Sequence, residues 1–156
     1  MRHLFTKTIK DLMTNNLDII FLTADLGYPF LNELQESFPD RFLNIGAAEQ
    51  SLFDIAVGIA LSGKYPICYT ITPFILRGFE TLRTYVDYEE IPMLIVGSGR
   101  EKEYYNDGFS HWAIGVIESL KTLTNIKIIE PTVESLEQNL TEIVKSKVPT
   151  VITLSK

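Results

Sequence analysis

The chain has 156 residues and a formal net charge of −6 at pH 7, with 14 Lys plus Arg against 20 Asp plus Glu. Cations so few and so dispersed argue against a nucleic-acid surface, which needs clustered Lys and Arg to neutralise phosphates. Hydrophobic residues at 46% and charged residues at 22% exclude a disordered chain and fit one ordinary domain, residues 1–156, long enough to bury a core.

Residues 2–15 carry Leu4, Phe5, Ile9, Leu12 and Met13 at helical spacing, and 18–23 follow as a short apolar run of strand formers. A helix over 30–37 ends before Pro39, a strand over 41–44 follows, and a helix over 48–62 places Leu52, Ile55, Ala56 and Ile59 on one face before Gly63 stops it. The alternation continues with strands at 66–71, 93–96, 126–129 and 150–154, and with helices at 74–87, 113–122 and 133–145. Continuous apolar strands between amphipathic helices predict an α/β fold: a doubly wound, mainly parallel sheet with helices on both faces. Cys68 is the only cysteine and His3 and His111 are the only histidines, so neither an internal disulfide nor a Cys/His metal cluster is available. The first residues are too polar for a signal peptide and no apolar run has membrane length, so the expected location is the cytoplasm, with no membrane partner.

In open parallel sheets ligands bind beyond the carboxyl ends of the strands, which makes the following loops the candidates. They run over 24–29, 45–50, 72–77 and 97–111. Glu49 starts a helix, where a carboxylate is favoured by the helix dipole alone, by about 0.3–1 kcal/mol. Beside Gly46, Ala47 and Ala48 it also has room to meet a flat ligand and exchange a proton with it. Phe74 after Pro73 reads as a core aromatic or as a stacking platform. Arg77 reads as a surface cation or an anion ligand, and Asp25 as a turn former or a polar contact. His111 ends a loop over 97–112 that holds three glycines and two tyrosines and little to bury, which favours a functional loop. Gly97-Ser98-Gly99 lacks the third glycine of a dinucleotide fingerprint and no phosphate-loop lysine motif occurs, so a generic nucleotide site is weakly supported.

Taken in order, Ala24-Asp25-Leu26-Gly27, Phe38-Pro39-Asp40-Arg41-Phe42, Gly46-Ala47-Ala48-Glu49-Gln50, Ala56 to Gly58 with Ala60 and Gly63, Thr72-Pro73-Phe74 with Arg77, and Asp107-Gly108-Phe109-Ser110-His111 resemble the pyrimidine-binding domain of the transketolase family. The resemblance runs from about Met1 to Pro131. The Glu-Gln pair and the arginine after the aromatic look closer to deoxyxylulose phosphate synthases and split transketolases than to full-length transketolases.

The resemblance implies a thiamine diphosphate enzyme. Glu49 would hydrogen-bond a ring nitrogen of the aminopyrimidine and shift it toward the imino tautomer, which deprotonates the thiazolium carbon. Phe74 would stack on the ring, Leu26 would touch it and Asp25 would lie near it. His111 resembles the histidine that hydrogen-bonds substrate oxygens and moves protons, Asp107 would meet a sugar hydroxyl, and Arg77 a substrate phosphate or carboxylate. Trp112 departs from the small or polar residue common after that histidine. The Gly-Asp-Gly diphosphate motif and its later Asn are absent, since Asn106 precedes the only Asp-Gly, and no hard oxygen cluster is arranged for Mg²⁺. The third domain that normally follows in the family is expected to be missing as well. The implied assembly is therefore a heteromer with a separate diphosphate-binding transketolase-like subunit that holds Mg²⁺ and the diphosphate, in two heterodimers related by two-fold symmetry.

The expected reaction is transfer of a two-carbon ketol unit between sugar or sugar-phosphate substrates. The alternatives are a 2-oxo acid decarboxylase, a deoxyxylulose phosphate synthase-like condensation, or a non-catalytic pairing or regulatory module of the same fold.

Overall fold

The apolar runs become strands in the structure, a computed structural model that describes residues 1–27 and 29–155. Tyr28, in the first candidate loop, and Lys156 lie outside the described residues. Helix α1 (Arg2–Asn15) leads into β1 (Ile19–Thr23), and α2 (Asn32–Ser37) precedes β2 (Phe42–Asn44). Helix α3 (Glu49–Leu61) follows, then β3 (Tyr65–Ile71), a one-turn α4 (Phe79–Thr81), β4 (Leu94–Ser98), α5 (Val116–Leu120), β5 (Lys127–Ile129), α6 (Val133–Ser146) and β6 (Thr150–Leu154). The strands form one six-stranded sheet in the order β2-β1-β3-β4-β6-β5, and every neighbouring pair is parallel. This is the doubly wound architecture that the alternation predicts.

The pleat divides the interior into two cores. Tyr65, Ile67 and Tyr69 of β3 face Phe5, Ile9 and Met13 of α1 and Leu136, Leu140 and Ile143 of α6. On the other side Cys68 faces Leu52, Phe53 and Ala56 of α3, with Ile75, Leu82 and Val86. The Cys68 side chain is wholly buried and its thiol is pushed up by desolvation, so it is a packing residue rather than a nucleophile.

Arg41, in the turn before β2, ties this frame to α1. Its guanidinium donates to the carbonyls of Met13 and Asn16, each at 2.9 Å, and lies 4.8 Å from the centre of the Phe38 ring. These are carbonyls at the end of α1 that the helix itself leaves unpaired. Arg41→Ala is therefore expected to lower stability by about 1–3 kcal/mol, read from the midpoint of urea unfolding.

Three expected elements differ in detail. The helix over 74–87 is instead a 3₁₀ helix (Thr72–Gly78), the α4 turn and a π-helical stretch (Leu82–Tyr88). Packing imposes this: a Cβ built on Gly78 would stand 2.2 Å from the Phe53 ring, so the tract lies tight against α3. The helix over 113–122 shortens to α5 at Val116–Leu120. Gly97 and Ser98, expected in a loop, extend β4 by pairing with Thr153 and Leu154 of β6.

Candidate active site

Strand β1 is flanked by β2 on one side and β3 on the other, so the chain reverses its winding direction across it. Such a switch point opens a crevice at the carboxyl ends. Backbone hydrogen bonds join the loops there: Ile45 N–H donates to the Thr23 carbonyl at 2.9 Å, Asp25 N–H to Gly46 at 3.1 Å and Ala24 N–H to Tyr69 at 3.3 Å. Gly46 has φ +79° and no atom within 4 Å of where a Cβ would sit, which gives both the left-handed turn into α3 and free space beside it.

Glu49 is the first residue of α3 and only 3% exposed. Its Oε1 lies 3.5 Å from the hydroxyl of buried Thr70, and its Oε2 accepts a 2.6 Å hydrogen bond from Nη1 of Arg77. Desolvating a carboxylate is costly unless a cation or donors compensate it, and here Arg77 does so. A 3₁₀ helix has three residues per turn, so positions i and i+3 eclipse. Within Thr72–Gly78 that spacing sets Arg77 above Phe74, with the guanidinium carbon 3.9 Å from the ring centre. His111 meets the same ring edge-on at 5.0 Å and 68°, and its Nδ1 is 3.0 Å from the Ser110 hydroxyl. Glu49, Arg77, Phe74 and His111 thus form one run of contacts drawn from three loops.

The other expected residues stand at its margins. Asp25 is exposed and Leu26 half-buried, and both line a cavity of about 300 Å³ with Thr23, Gly27 and Asn44. Asp107 is exposed in the turn before His111, and its side chain makes no hydrogen bond among the described residues. Trp112 stacks on Tyr105 at 5.6 Å and 12°, with Lys102 Nζ 4.5 Å from its ring, so it packs within its own loop. That loop buries more than expected. Tyr104 is 7% exposed, with its hydroxyl 3.0 Å from that of Ser98.

Thr70 is absent from the expected set because it sits inside an apolar strand. The signal that exposes it is the pleat: residues two apart share a face, and Cys68 already faces α3. Gly97 is a further supporting residue. A Cβ there would lie 2.6 Å from Thr72 Oγ1 and 3.1 Å from Thr72 Cα, while that hydroxyl donates to the Gly99 carbonyl at 2.5 Å. Gly97→Ala is expected to push Thr72 and the turn that carries Phe74 out of place, costing about 1–3 kcal/mol in thermal or urea unfolding.

Residues 1–156 match the family model described as "Transketolase, pyrimidine binding domain". The chain belongs to this family. It is 30% identical over 134 residues to the putative transketolase C-terminal section of Methanocaldococcus jannaschii, covering 85% of this chain and 42% of that protein. It is 28% identical over 145 residues to the 1-deoxy-D-xylulose-5-phosphate synthase of Mycolicibacterium gilvum, covering 92% of this chain and 23% of the synthase. Among solved structures, a split gene transketolase described as an inactive beta4 tetramer superposes with a TM-score of 0.86 at 27% identity, covering 99% of this chain and 50% of that one. The chain therefore spans a quarter to a half of the length of these relatives. The six-stranded parallel sheet is the transketolase pyrimidine-domain fold, and the family is thiamine diphosphate-dependent. Among the described residues no group of three or more His, Cys, Asp or Glu is placed to hold a metal ion, and no helix is long and apolar enough to cross a membrane.

Proposed function

We propose that this chain is the pyrimidine-binding subunit of a cytoplasmic, split transketolase-like enzyme that moves a two-carbon ketol unit between sugar or sugar-phosphate substrates. In this reading a separate subunit holds the diphosphate and Mg²⁺, and two such heterodimers pair. One observation carries it: a carboxylate nearly out of water, at the switch point of the sheet, linked through Arg77 to an aromatic ring. A flat aminopyrimidine fits these groups, since Gly46 leaves space beside Glu49 and Phe74 offers a face of the right size. Among the described residues no cluster of three or more His, Cys, Asp or Glu is placed to hold Mg²⁺. A relative named as a C-terminal section and a split-gene neighbour solved without activity support a missing half.

When bound, the cofactor would supply a nucleophilic carbon for the ketol transfer. Glu49 shares a proton with a ring nitrogen through one carboxylate oxygen, and its burial strengthens that hydrogen bond. Thr70 restrains the other oxygen and so orients the carboxylate. Phe74 would hold the ring by stacking, and Leu26 and Asp25, which line the adjacent cavity, would contact it. His111, held against Phe74, presents its imidazole to substrate oxygens, and Asp107 stands at the mouth for a hydroxyl.

An affinity pull-down from native cells tests this reading. It predicts a co-purifying diphosphate-binding subunit, bound thiamine diphosphate, and ketol transfer by the pair without release of carbon dioxide. Carbon dioxide release would favour the decarboxylase or synthase alternative. A chain recovered alone and free of cofactor would favour a non-catalytic module.

A further inference from the structure

Arg77 is half exposed, a position where an arginine ordinarily points into water and contributes little. Here its guanidinium carbon lies over the Phe74 ring, 3.9 Å from the ring centre, and its Nη1–H donates to Glu49 Oε2 at 2.6 Å. A guanidinium is a planar array of nitrogens with N–H donors around its rim. An aminopyrimidine presents the same features at one edge: a flat face, an amidine-type arrangement of nitrogens and a hydrogen-bonding rim. On the function proposed above, that ring needs the two partners Arg77 already occupies. Glu49 has only Thr70 and Arg77 as side-chain donors among the described residues, so its Oε2 is taken.

We infer that Arg77 is a placeholder for the aminopyrimidine. In the cofactor-free subunit it compensates the buried charge of Glu49 and covers a face of Phe74. The incoming ring must displace it from both. The inference rests on the pyrimidine-binding reading and adds an order to it. Once displaced, the guanidinium stays tethered at the mouth of the site with its donors unpaired, able to grip an anionic substrate group through paired N–H donors. The anion site is then complete only after the ring is seated, so cofactor precedes anionic substrate. A protein whose binding-competent state is only partly populated binds in proportion to that population. The placeholder therefore lowers the apparent affinity of the site for the ring.

The full chain, labelled with nitrogen-15, is titrated with 4-amino-5-hydroxymethyl-2-methylpyrimidine, the ring fragment of the cofactor, which needs no diphosphate site. The Arg77 Nε–H signal should move toward that of a free, exposed arginine as the fragment saturates. Arg77→Gln should bind the fragment about 5-fold more tightly than the unaltered chain. Inorganic phosphate should perturb the Arg77 signal only when the fragment is present. Equal affinities, or an Arg77 signal unmoved at saturation, would overturn the placeholder and leave pyrimidine binding standing. Phosphate acting equally without the fragment would overturn the binding order. If neither the unaltered chain nor R77Q binds the fragment, the functional reading itself fails. The Arg77 signal is read in the unaltered chain, so the test does not depend on how the variant folds.

Discussion

Glu49→Ala is expected to lower kcat of the proposed heteromer by about 10²–10⁴-fold and to leave its assembly intact. The size follows from the position of the carboxylate. Glu49 is 3% exposed, so no water stands ready to take over its proton. Thr70, its other neighbour, has a hydroxyl that cannot act as a comparable acid or base near neutral pH. The fold has little to lose from the change. A first-turn carboxylate adds only about 0.3–1 kcal/mol through the helix dipole, and Arg77, half exposed, turns to water once its partner is gone. Glu49→Gln keeps the shape without the titrating proton and should be nearly as inactive. The check is kcat measured beside the mass of the complex by light scattering, and retained turnover in an intact complex would contradict the role.

Phe74→Ala is expected to raise the Kd of the assembled enzyme for thiamine diphosphate by about 10–100-fold, from the ~1–3 kcal/mol that stacking an aromatic ring on a base provides. Phe74 is only partly buried, and Pro73 and the buried Ile75 hold the 3₁₀ turn on either side of it. The turn therefore survives the truncation. His111 loses the ring it packs against, whereas the Arg77 contact is one that the seated ring displaces in any case. Isothermal titration of the complex measures it, and Phe74→Tyr should restore most of the affinity. An unchanged Kd would make Phe74 a packing residue.

The inner sheet was readable because its strands are runs buried on both faces, as β3, β4 and β6 show along their whole length. Helix α6 was readable from its apolar face, and Thr132 caps it through the backbone of Ser135. The tract after Pro73 was not, because over so few turns an apolar spacing of three to four suits 3₁₀, α and π winding alike, and contact with Phe53 decides among them. Of the site, Glu49, Phe74 and His111 stood out as chemistry-bearing types in loops that follow strands, and the structure brings them into one run. The Glu49–Arg77 pair was illegible because it spans 28 positions and depends on the eclipsed turn that lays Arg77 on Phe74. Tyr104 escaped notice for a similar reason: Arg2, 102 positions away, hydrogen-bonds its hydroxyl from another element.

The claim that this chain supplies only the pyrimidine half of the site is tested most directly by calorimetric titration. Thiamine diphosphate, with Mg²⁺ present, is added to the chain alone, to the subunit that co-purifies with it, and to the equimolar mixture. The account predicts tight binding in the mixture only, one cofactor per pair, lost when Glu49→Ala and Phe74→Ala are combined. Tight binding by the chain alone, or none by the mixture, would contradict it.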